Sequence, residues 1–535
     1  MKYQIRKYIS FTMLAAAGVM ATGCNDWLGE ESPGVITVED FFTVGETCVQ
    51  VINGCYTPLA WDYGTTYFSE WYIGDIASDD AVKGGQDLSD GKDAYDIDNF
   101  KVNANNAILL DYYRAKYQGI IRCNLALKQI AGYTPDESLT ESRKNCLLGE
   151  AHFLRGLYYF QLVRIFGGVP LVNEVIDSSD RWQQDRATKE EIYANIISDL
   201  QEAEKLLWNK RDYADEDLGR ATKGAACALL AKVYLYNHSY NEAYIWAKKF
   251  IDEHYTPGHY SLCPVYADNF TLAGENGPES IFEIQYMEDP TSDFGGFGFT
   301  RGTFNQILTR PRGSMLGSNS GWGFNHPTQN LYDEFESGDA RREVSIGVPA
   351  EEYRDEVEVN YLGNYYFNNK TSMSEGGTFP ALAHQSRGPL NYILLRTADA
   401  LLVYAEAALE SGKDLTAAKW ALEEVRSRAR ANATEAGALP QFPGYRGYSD
   451  NQESLRDAIR HERRVELAME GQRWFDLVRW GIAAKVMDRS NGSYGSTENS
   501  ELRDEMATFI PGKHELFPIP AEEINLNPMA QNPGY

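Results

Sequence analysis

Long segments with apolar residues at steps of three or four run through this chain, and each has the length of a helix rather than a strand. In residues 141–166, for example, Ala151, Leu154 and Tyr158 recur at that spacing, and a Gly-Gly pair before Pro170 ends the segment. The chain is therefore predicted to be mostly α. The same pattern predicts helices over 38–60, 106–131, 141–166, 189–208, 220–238, 240–254, 391–411, 415–431 and 451–471.

Several of these segments follow one another as pairs. Ala231 and Tyr234 on one segment, with Tyr240, Ala243 and Phe250 on the next, fit the small-and-aromatic spacing of a tetratricopeptide helix pair. An alanine on one helix leaves room for a ring on its neighbour, and each pair buries its apolar face against the following one. The sequence therefore predicts a tetratricopeptide-like scaffold of helix pairs.

Two stretches interrupt this pattern, at about residues 60–105 and 257–390. Both are rich in glycine and polar turn residues, and short β-like pieces such as 281–286 occur in the second. Long irregular insertions in a compact protein usually carry its function. We therefore predict that the helices form the scaffold and that the insertions, partly β, form the ligand-binding site.

The first 23 residues have the features of an export signal. Three basic residues and no acid precede a short apolar run over 9–21, which is too short to span a bilayer. The sequence Ala21-Thr22-Gly23-Cys24 resembles the lipobox of bacterial lipoproteins, although Ala21 stands where leucine is usual. We expect residues 1–23 to be removed and Cys24 to carry the lipid, which leaves a mature domain over 24–535. The alternative is an ordinary cleaved signal with a chance cysteine.

Charge and cysteine content narrow the possible partners. With 77 acidic and 50 basic residues the formal charge is −27, which argues against a nucleic-acid partner. Exported chains can form disulfides, but the spacings here suggest no compact disulfide framework. The remaining six cysteines are therefore predicted to be buried free thiols. They are Cys48, Cys55, Cys123, Cys146, Cys227 and Cys263.

Acidic residues at four-residue steps near the C-terminus could suggest a hydrolytic site. Basic residues lie between these acids, so an ion-paired structural network is the better interpretation. The acids are Glu462, Glu466 and Glu470, and the bases are Arg463, Arg464 and Arg473. The neighbouring acids Asp79 and Asp80 are predicted to be solvated charges, with calcium binding as the alternative.

The motifs typical of enzymes are missing or incomplete. His461 and Glu462 begin like the helix of a zinc protease, but Val465 stands where the second histidine would be required. The sequence has neither a nucleophile elbow nor a phosphate-binding loop. We therefore expect no catalytic residues, no metal and no cofactor.

Distinctive segments occur in order along nearly the whole chain, at Cys24 to Leu28, Gly149 to Arg155 with Phe166 to Pro170, Gly219 to Lys223, Leu394 to Ala407, Glu462 to Leu477, and Phe517 to Tyr535. Together these segments resemble the SusD/RagB family of outer-membrane nutrient-binding lipoproteins. The resemblance implies a lipid-anchored cell-surface protein that binds oligosaccharides, or in some members peptides or other nutrients, and delivers them to a SusC-like TonB-dependent transporter. It implies a binding protein rather than an enzyme.

Ligand contacts in this family come mainly from loops that correspond to the two insertions. Flat aromatic rings can stack on the C–H face of a sugar, and charged side chains can bind its hydroxyls. On that basis we predict Tyr95 and Trp322 as stacking platforms and Asp80, Lys83 and Arg301 as polar partners. For each ring the alternative is simple core packing. At the level of the whole protein the alternatives are a surface glycoside hydrolase and a tetratricopeptide scaffold that binds only protein.

Overall fold

A computed structural model describes most of the chain. Residues 1–23 and Cys24, the predicted signal and lipidation site, lie outside the described residues, and so does Arg301. The described residues are 44–61, 71–176, 182–288, 302–313, 320–351, 354, 364–375, 377–382, 384, 388–488 and 507–535.

Long helices dominate the described part, which confirms the predicted mostly α fold. The segments predicted at 141–166 and 415–431 begin and end at the predicted residues. The long helices are α1 (Gly45–Tyr56), α2 (Ala107–Gly132), α3 (Glu141–Phe166), α4 (Lys189–Leu206), α5 (Lys223–Tyr236), α6 (Tyr240–Phe250), α7 (Thr397–Glu410), α8 (Leu415–Ala431) and α9 (Gln452–Glu466). A π-helical turn, Ile251–Tyr255, extends α6. Shorter helices cover Trp71–Gly74, Lys92–Asp98, Asn305–Thr309, Gln329–Glu334, Arg341–Ser345, Asn369–Ser372, Arg473–Arg479, Ala483–Val486 and Ala521–Leu526.

Side-chain caps explain where several helices begin. The Thr140 side chain accepts the Arg143 N–H at the start of α3. At the start of α4, the Thr188 hydroxyl accepts the Glu191 N–H at 3.2 Å, and the Glu191 carboxylate accepts the Thr188 N–H at 2.8 Å. Such reciprocal caps satisfy backbone donors that the first turn leaves free. The local sequence therefore determines these boundaries.

The long helices pack in chain order, each on the next, from α1 through to α8. The second insertion lies between α6 and α7 in the chain, so that 146 residues separate Phe250 from Thr397. Nevertheless α7 packs directly on α6, and the order of the stack continues. Ala231 of α5 and Ala243 of α6 are buried where the predicted helix pair meets. This stack is the tetratricopeptide-like scaffold that the sequence predicts.

The described strands are short: β1 (Ala81–Gly84), β2 (Ser280–Ile284), β3 (Phe324–Pro327), β4 (Ile346–Gly347), β5 (Phe367–Asn368) and β6 (Tyr392–Arg396). They pair as three antiparallel two-stranded sheets, β1 with β3, β2 with β6, and β4 with β5. The pairing of β1 with β3 joins the two insertions, with Gly84 opposite Phe324.

The prediction of a helix over 391–411 is wrong for the first residues of that segment. Residues Tyr392–Arg396 form β6, which pairs with β2, and the helix begins only at Thr397. The Thr397 N–H and hydroxyl donate to the Glu279 carbonyl at 2.9 and 3.0 Å, which fixes the change from strand to helix. Leu394 and Leu395 fit the apolar helical period, but pairing with a distant strand overrides that pattern.

The acidic face of α9 forms a buried ion network, as predicted. Glu466 binds Arg396 at 2.6 Å and Arg341 at 2.8 Å, and both arginines come from outside α9. The predicted basic residues pair elsewhere: Arg463 binds Asp399 at 2.9 Å, for example. The Arg341–Glu466 pair attaches α9 to the second insertion, and the pairs of Arg396 and Asp399 tie α9 to β6 and α7.

Two further properties concern the described residues only. The six cysteines between Cys48 and Cys263 lie buried as free thiols, as predicted. Within the described ranges, every helix is too short or too polar to cross a bilayer.

Candidate functional site

The two insertions enclose a cleft of about 500 Å³, which we name the insertion cleft. One wall is the loop Gly84–Gly91, which begins at the last residue of β1, together with the start of the helix Lys92–Asp98. The opposite wall comes from the segment that leads into β3. Its lining includes the side chains of Gln86, Asp90, Lys92, Arg312, Trp322 and Phe324.

Backbone pairing sets the position of both walls. The Gly85 N–H donates to the Gly323 carbonyl at 2.5 Å, directly beyond the β1–β3 pair. Gly91 adopts a left-handed conformation with φ of +71°, and a Cβ there would lie 2.9 Å from the Phe324 ring. Glycine at this position therefore allows the loop to approach the ring closely.

Trp322 supplies the aromatic surface of the cleft. Its ring is partly buried, and its centroid lies 6.0 Å from that of Phe304. The Trp322 N–H donates to the Ile307 carbonyl at 2.7 Å, which fixes the backbone that carries the ring. The structure thus places this predicted stacking residue in a cleft of the size typical of small-ligand sites.

Charged groups surround the ring. The Arg312 guanidinium lies 3.9 Å from the Asp90 carboxylate across the cleft, and both side chains are partly exposed. The Asp90 carboxylate also accepts the Gln86 N–H at 2.8 Å. The exposed ammonium of Lys92 pairs with Asp96 at the rim. The cleft therefore offers a cation and an anion beside an aromatic face.

Asp80 does not lie at this cleft. Its side chain is 1% exposed and binds the Arg464 guanidinium at 2.8 Å, while Asp79 binds Arg473 at 2.7 Å. Burial raises the pKa of Asp80, whereas Arg464 and Arg473 outweigh burial at Asp79 and lower the pKa of that carboxyl. The prediction of solvated charges at Asp79 and Asp80 is wrong, because both are internal ion-pair partners. This burial argues against a ligand contact at Asp80.

Lys83 is also buried, and its ammonium points to the backbone of the loop Gly84–Gly91. It donates to the carbonyls of Gly84, Asp87 and Asp90 at 2.5, 2.6 and 2.6 Å. Burial lowers the pKa of Lys83 to about 8, against the opposing effect of nearby carboxylates. Lys83 therefore lies behind the cleft wall rather than on its surface.

Tyr95 is 7% exposed and lies outside the described lining of the cleft. The ammonium groups of Lys92 and Lys101 lie 5.5 and 5.1 Å from its ring centroid. Its hydroxyl accepts a hydrogen bond from Lys101 at 3.0 Å. Of the predicted ligand residues in the described ranges, Trp322 lines the cleft, and Tyr95, Asp80 and Lys83 do not.

The sequence alone does not indicate Arg312, Phe324 or the loop residues Gln86 and Asp90 as site residues. Their proximity depends on the pairing of β1 with β3, which joins residues about 240 positions apart. The strand-like residues directly after the Asp79-Asp80 pair are the signal that could have indicated β1. A strand of only four residues, however, does not show which distant strand it pairs with.

A second concavity of about 600 Å³ lies along α2, and we name it the α2 groove. Its lining includes Trp61, Ile121, Trp182 and Leu526, and Trp182 is 70% exposed. It shares none of its described lining with the insertion cleft.

Known proteins similar to this chain are SusD-like, and the similarity extends over nearly its whole length. A family profile described as SusD family matches residues 349–535, and one described as starch-binding associating with outer membrane matches residues 26–235. SusD-like protein P2 of Formosa agariphila is 28% identical, covering 99% of this chain and 100% of the relative.

Solved structures of similar sequence share the fold. A laminarin binding SusD-like protein superposes with a TM-score of 0.73 at 29% identity, covering 92% of this chain and 100% of the other. Surface glycan-binding protein A from Bacteroides fluxus superposes with a TM-score of 0.76 at 26% identity, covering 92% of this chain and 99% of the other.

Proposed function

This chain belongs to the SusD family, and we propose that it binds a glycan at the cell surface and delivers it to a SusC-like TonB-dependent transporter in the outer membrane. The signal-like residues 1–23 and Cys24 support attachment through a lipid on that cysteine. A protein tethered in this way captures nutrient outside the cell and passes it to the transporter without chemical change.

The observation that carries the proposal is the position of Trp322 in the insertion cleft, beside Arg312 and Asp90. A sugar ring can stack its C–H face on the indole, while the guanidinium donates to one hydroxyl and the carboxylate accepts from another. Because the two charges are opposite and close, the polar wall has little net charge. The cleft therefore suits an uncharged oligosaccharide better than an acidic one.

Laminarin is the first ligand to test, because a structurally similar protein of 29% identity is described as binding it. Starch is the second, because one of the matching family profiles is described as starch-binding. We propose a neutral glucan of this kind as the ligand class.

The test uses the mature lipoprotein in detergent, run in native gels that contain laminarin, starch or an acidic polysaccharide. We expect a neutral glucan to retard the wild-type protein and Trp322→Ala to abolish most of that retardation. Trp182→Ala is the matched control, since it removes an exposed indole from the α2 groove. Retardation lost in Trp182→Ala and kept in Trp322→Ala would move the site to the α2 groove.

The same samples separate binding from catalysis. Incubation with the retarding glucan is expected to release no shorter oligosaccharide, as measured by chromatography of the reaction mixture. Release of products would instead support the glycoside hydrolase. Failure of every polysaccharide to retard the protein, together with binding of peptides, would support a scaffold or a peptide-nutrient binder.

The transporter partner is tested by purification from the native outer membrane. We expect a TonB-dependent barrel to elute with an affinity-tagged copy of this chain. A preparation that contains this protein in good yield but no such barrel would contradict the delivery step and leave glycan binding as the function.

A further inference from the structure

The Lys83 ammonium is the point at which three parts of the loop Gly84–Gly91 meet. It donates hydrogen bonds to the carbonyls of Gly84 at the start of the loop, Asp87 in its middle and Asp90 near its end. An ammonium has three N–H donors, and here three backbone acceptors lie within hydrogen-bond distance. One buried side chain thus closes the loop that forms a wall of the insertion cleft.

Apart from the contacts of Lys83, a backbone hydrogen bond from the Gly85 N–H to the Gly323 carbonyl at 2.5 Å ties the start of the loop to the opposite wall. Asp87 accepts the N–H groups of Ser89 and Asp90, and both contacts stay within the loop. The side chains from Gln86 to Ser89 are exposed and bury little apolar surface. A loop of this kind has low local stability unless a buried group fixes it.

We propose that Lys83 is a positioning residue that holds the loop Gly84–Gly91 in the conformation that completes the insertion cleft. The proposal rests on the proposed glycan-binding function for its effect on affinity, but not for its effect on the loop. Through the loop, Lys83 sets the position of the Asp90 carboxylate opposite Arg312 and that of Gly91 against the Phe324 ring.

The charged groups that face Lys83 come from each neighbouring element. The carboxylates of Asp87, Asp90 and Asp98 favour its charged form, and Arg312 disfavours it. His326 lies close enough for Lys83 to lower its pKa further, although burial is the main cause and gives a pKa of about 4. Burial raises the pKa of Asp98 to about 7.

Loss of the Lys83 proton would remove one of its three donors and its charge together. Because burial holds the pKa of Lys83 near 8, glycan affinity should weaken above that pH. Asp98 ionises at lower pH and adds a carboxylate that favours charged Lys83, so its titration acts in the opposite direction. Arginine at position 83 would keep the charge throughout this range.

Lys210 provides a matched control, because it is a second lysine whose ammonium binds backbone carbonyls. It donates to Gly277 and Ser280 at 2.6 and 2.9 Å, and burial lowers its pKa to about 8. It also lies 5.0 Å from the Tyr260 ring centroid, as Lys83 lies 5.7 Å from that of Phe324. Lys210 and these partners are outside the described lining of the cleft.

The experiment compares Lys83→Met with Lys210→Met in the mature lipoprotein, using amide hydrogen exchange and the Kd for laminarin or starch, whichever retards the wild type. We expect Lys83→Met to speed exchange across 84–91 at least tenfold and to raise Kd at least tenfold. Lys210→Met should speed exchange near 277–280 and leave Kd within twofold. Unchanged exchange across 84–91 in Lys83→Met would overturn the proposal.

The dependence of Kd on pH is a second measurement. If Lys83 only stabilised the fold, its titration would not change Kd. Wild-type Kd should rise between pH 7 and 9.5, and Lys83→Arg should flatten that rise, because arginine keeps its charge over this range. If Lys83→Met does not fold, the wild-type profile decides, and a constant Kd over this range overturns the proposal.

The two proposals fail separately. If the wild type binds no glycan, the proposed function fails, while hydrogen exchange still decides whether Lys83 holds the loop. If the wild type binds and Lys83→Met keeps the wild-type Kd, the positioning role fails and glycan binding stands.

Discussion

The Arg464 guanidinium of α9 donates to the Asp80 carboxylate over 2.8 Å and joins residues 384 positions apart in the chain. Asp79 lies 2.9 Å from the same guanidinium, and both carboxylates are buried. The strand β1, whose following loop forms a wall of the insertion cleft, begins directly after these acids. This ion pair therefore anchors that wall to the scaffold.

Replacing Arg464 with methionine should destabilise the protein strongly. The variant keeps an apolar stem of similar length but leaves the Asp79 and Asp80 carboxylates buried with one fewer cation. Breaking a buried ion pair from one side costs about 3–5 kcal/mol. We expect Arg464→Met to lower the free energy of unfolding by that amount, measured by urea titration and circular dichroism.

An exposed ion pair provides the control for Arg464→Met. Lys205 binds Glu202 on α4 at 2.6 Å, with side chains 62% and 45% exposed. Pairs of this kind contribute about 0–1 kcal/mol, so Lys205→Met should leave the unfolding curve almost unchanged. If both variants lowered the free energy of unfolding by the same amount, the burial of the Arg464 ion pairs would not contribute to stability.

The scaffold could be predicted from the sequence because its signals are local. The bounds of α3 follow from the Thr140 cap, the apolar period and the glycine pair after Phe166, all within one segment. The start of α7 could not be predicted in the same way. Leu394 and Leu395 belong to a strand whose partner, β2, lies more than 100 residues earlier.

The candidate site was only partly predictable for the same reason. The sequence alone predicts Trp322 as a candidate, because it shows an aromatic residue in a polar loop, and the structure places that residue at the cleft. Asp80 and Lys83 also have the residue types of a sugar site, but Arg464 and three loop carbonyls occupy their polar groups. Whether a charged side chain faces a ligand or the interior depends on distant partners, which local patterns do not contain.

A buried histidine should make the protein sensitive to acid. His254 is 1% exposed, and neither ring nitrogen has a hydrogen-bond partner among the described residues. Burial lowers its pKa to about 4, with His259, Lys223 and Lys249 acting in the same direction and Glu204 opposing. Because the unfolded chain binds the proton more readily, the folded state loses stability as pH falls from about 6.5 towards 4.

Replacing His254 with leucine should remove this part of the acid sensitivity. At pH 5 we expect the variant to gain about 1–2 kcal/mol in the free energy of unfolding relative to wild type. At pH 7.5 the gain should be smaller, since only the cost of the unpaired nitrogens is removed. Urea titrations at the two pH values measure the difference, and an equal gain at both would show that His254 does not titrate in this way.

Replacing Gly91 with alanine tests whether the close packing of the loop against the Phe324 ring is needed for ligand binding. An alanine Cβ at this position would lie 2.9 Å from the ring, so Gly91→Ala must displace the ring or the loop. Gly481→Ala is the matched control, because Gly481 has a φ of +67° and no atom within 4 Å of the added Cβ.

Both variants, Gly91→Ala and Gly481→Ala, should lose about 1–2 kcal/mol of stability from the left-handed backbone, as measured by urea titration. Only Gly91→Ala should also raise the Kd for the retarding glucan, by about tenfold if one good contact worth about 1.4 kcal/mol is lost. Equal Kd values for the two variants would mean that the ligand does not depend on this wall of the cleft.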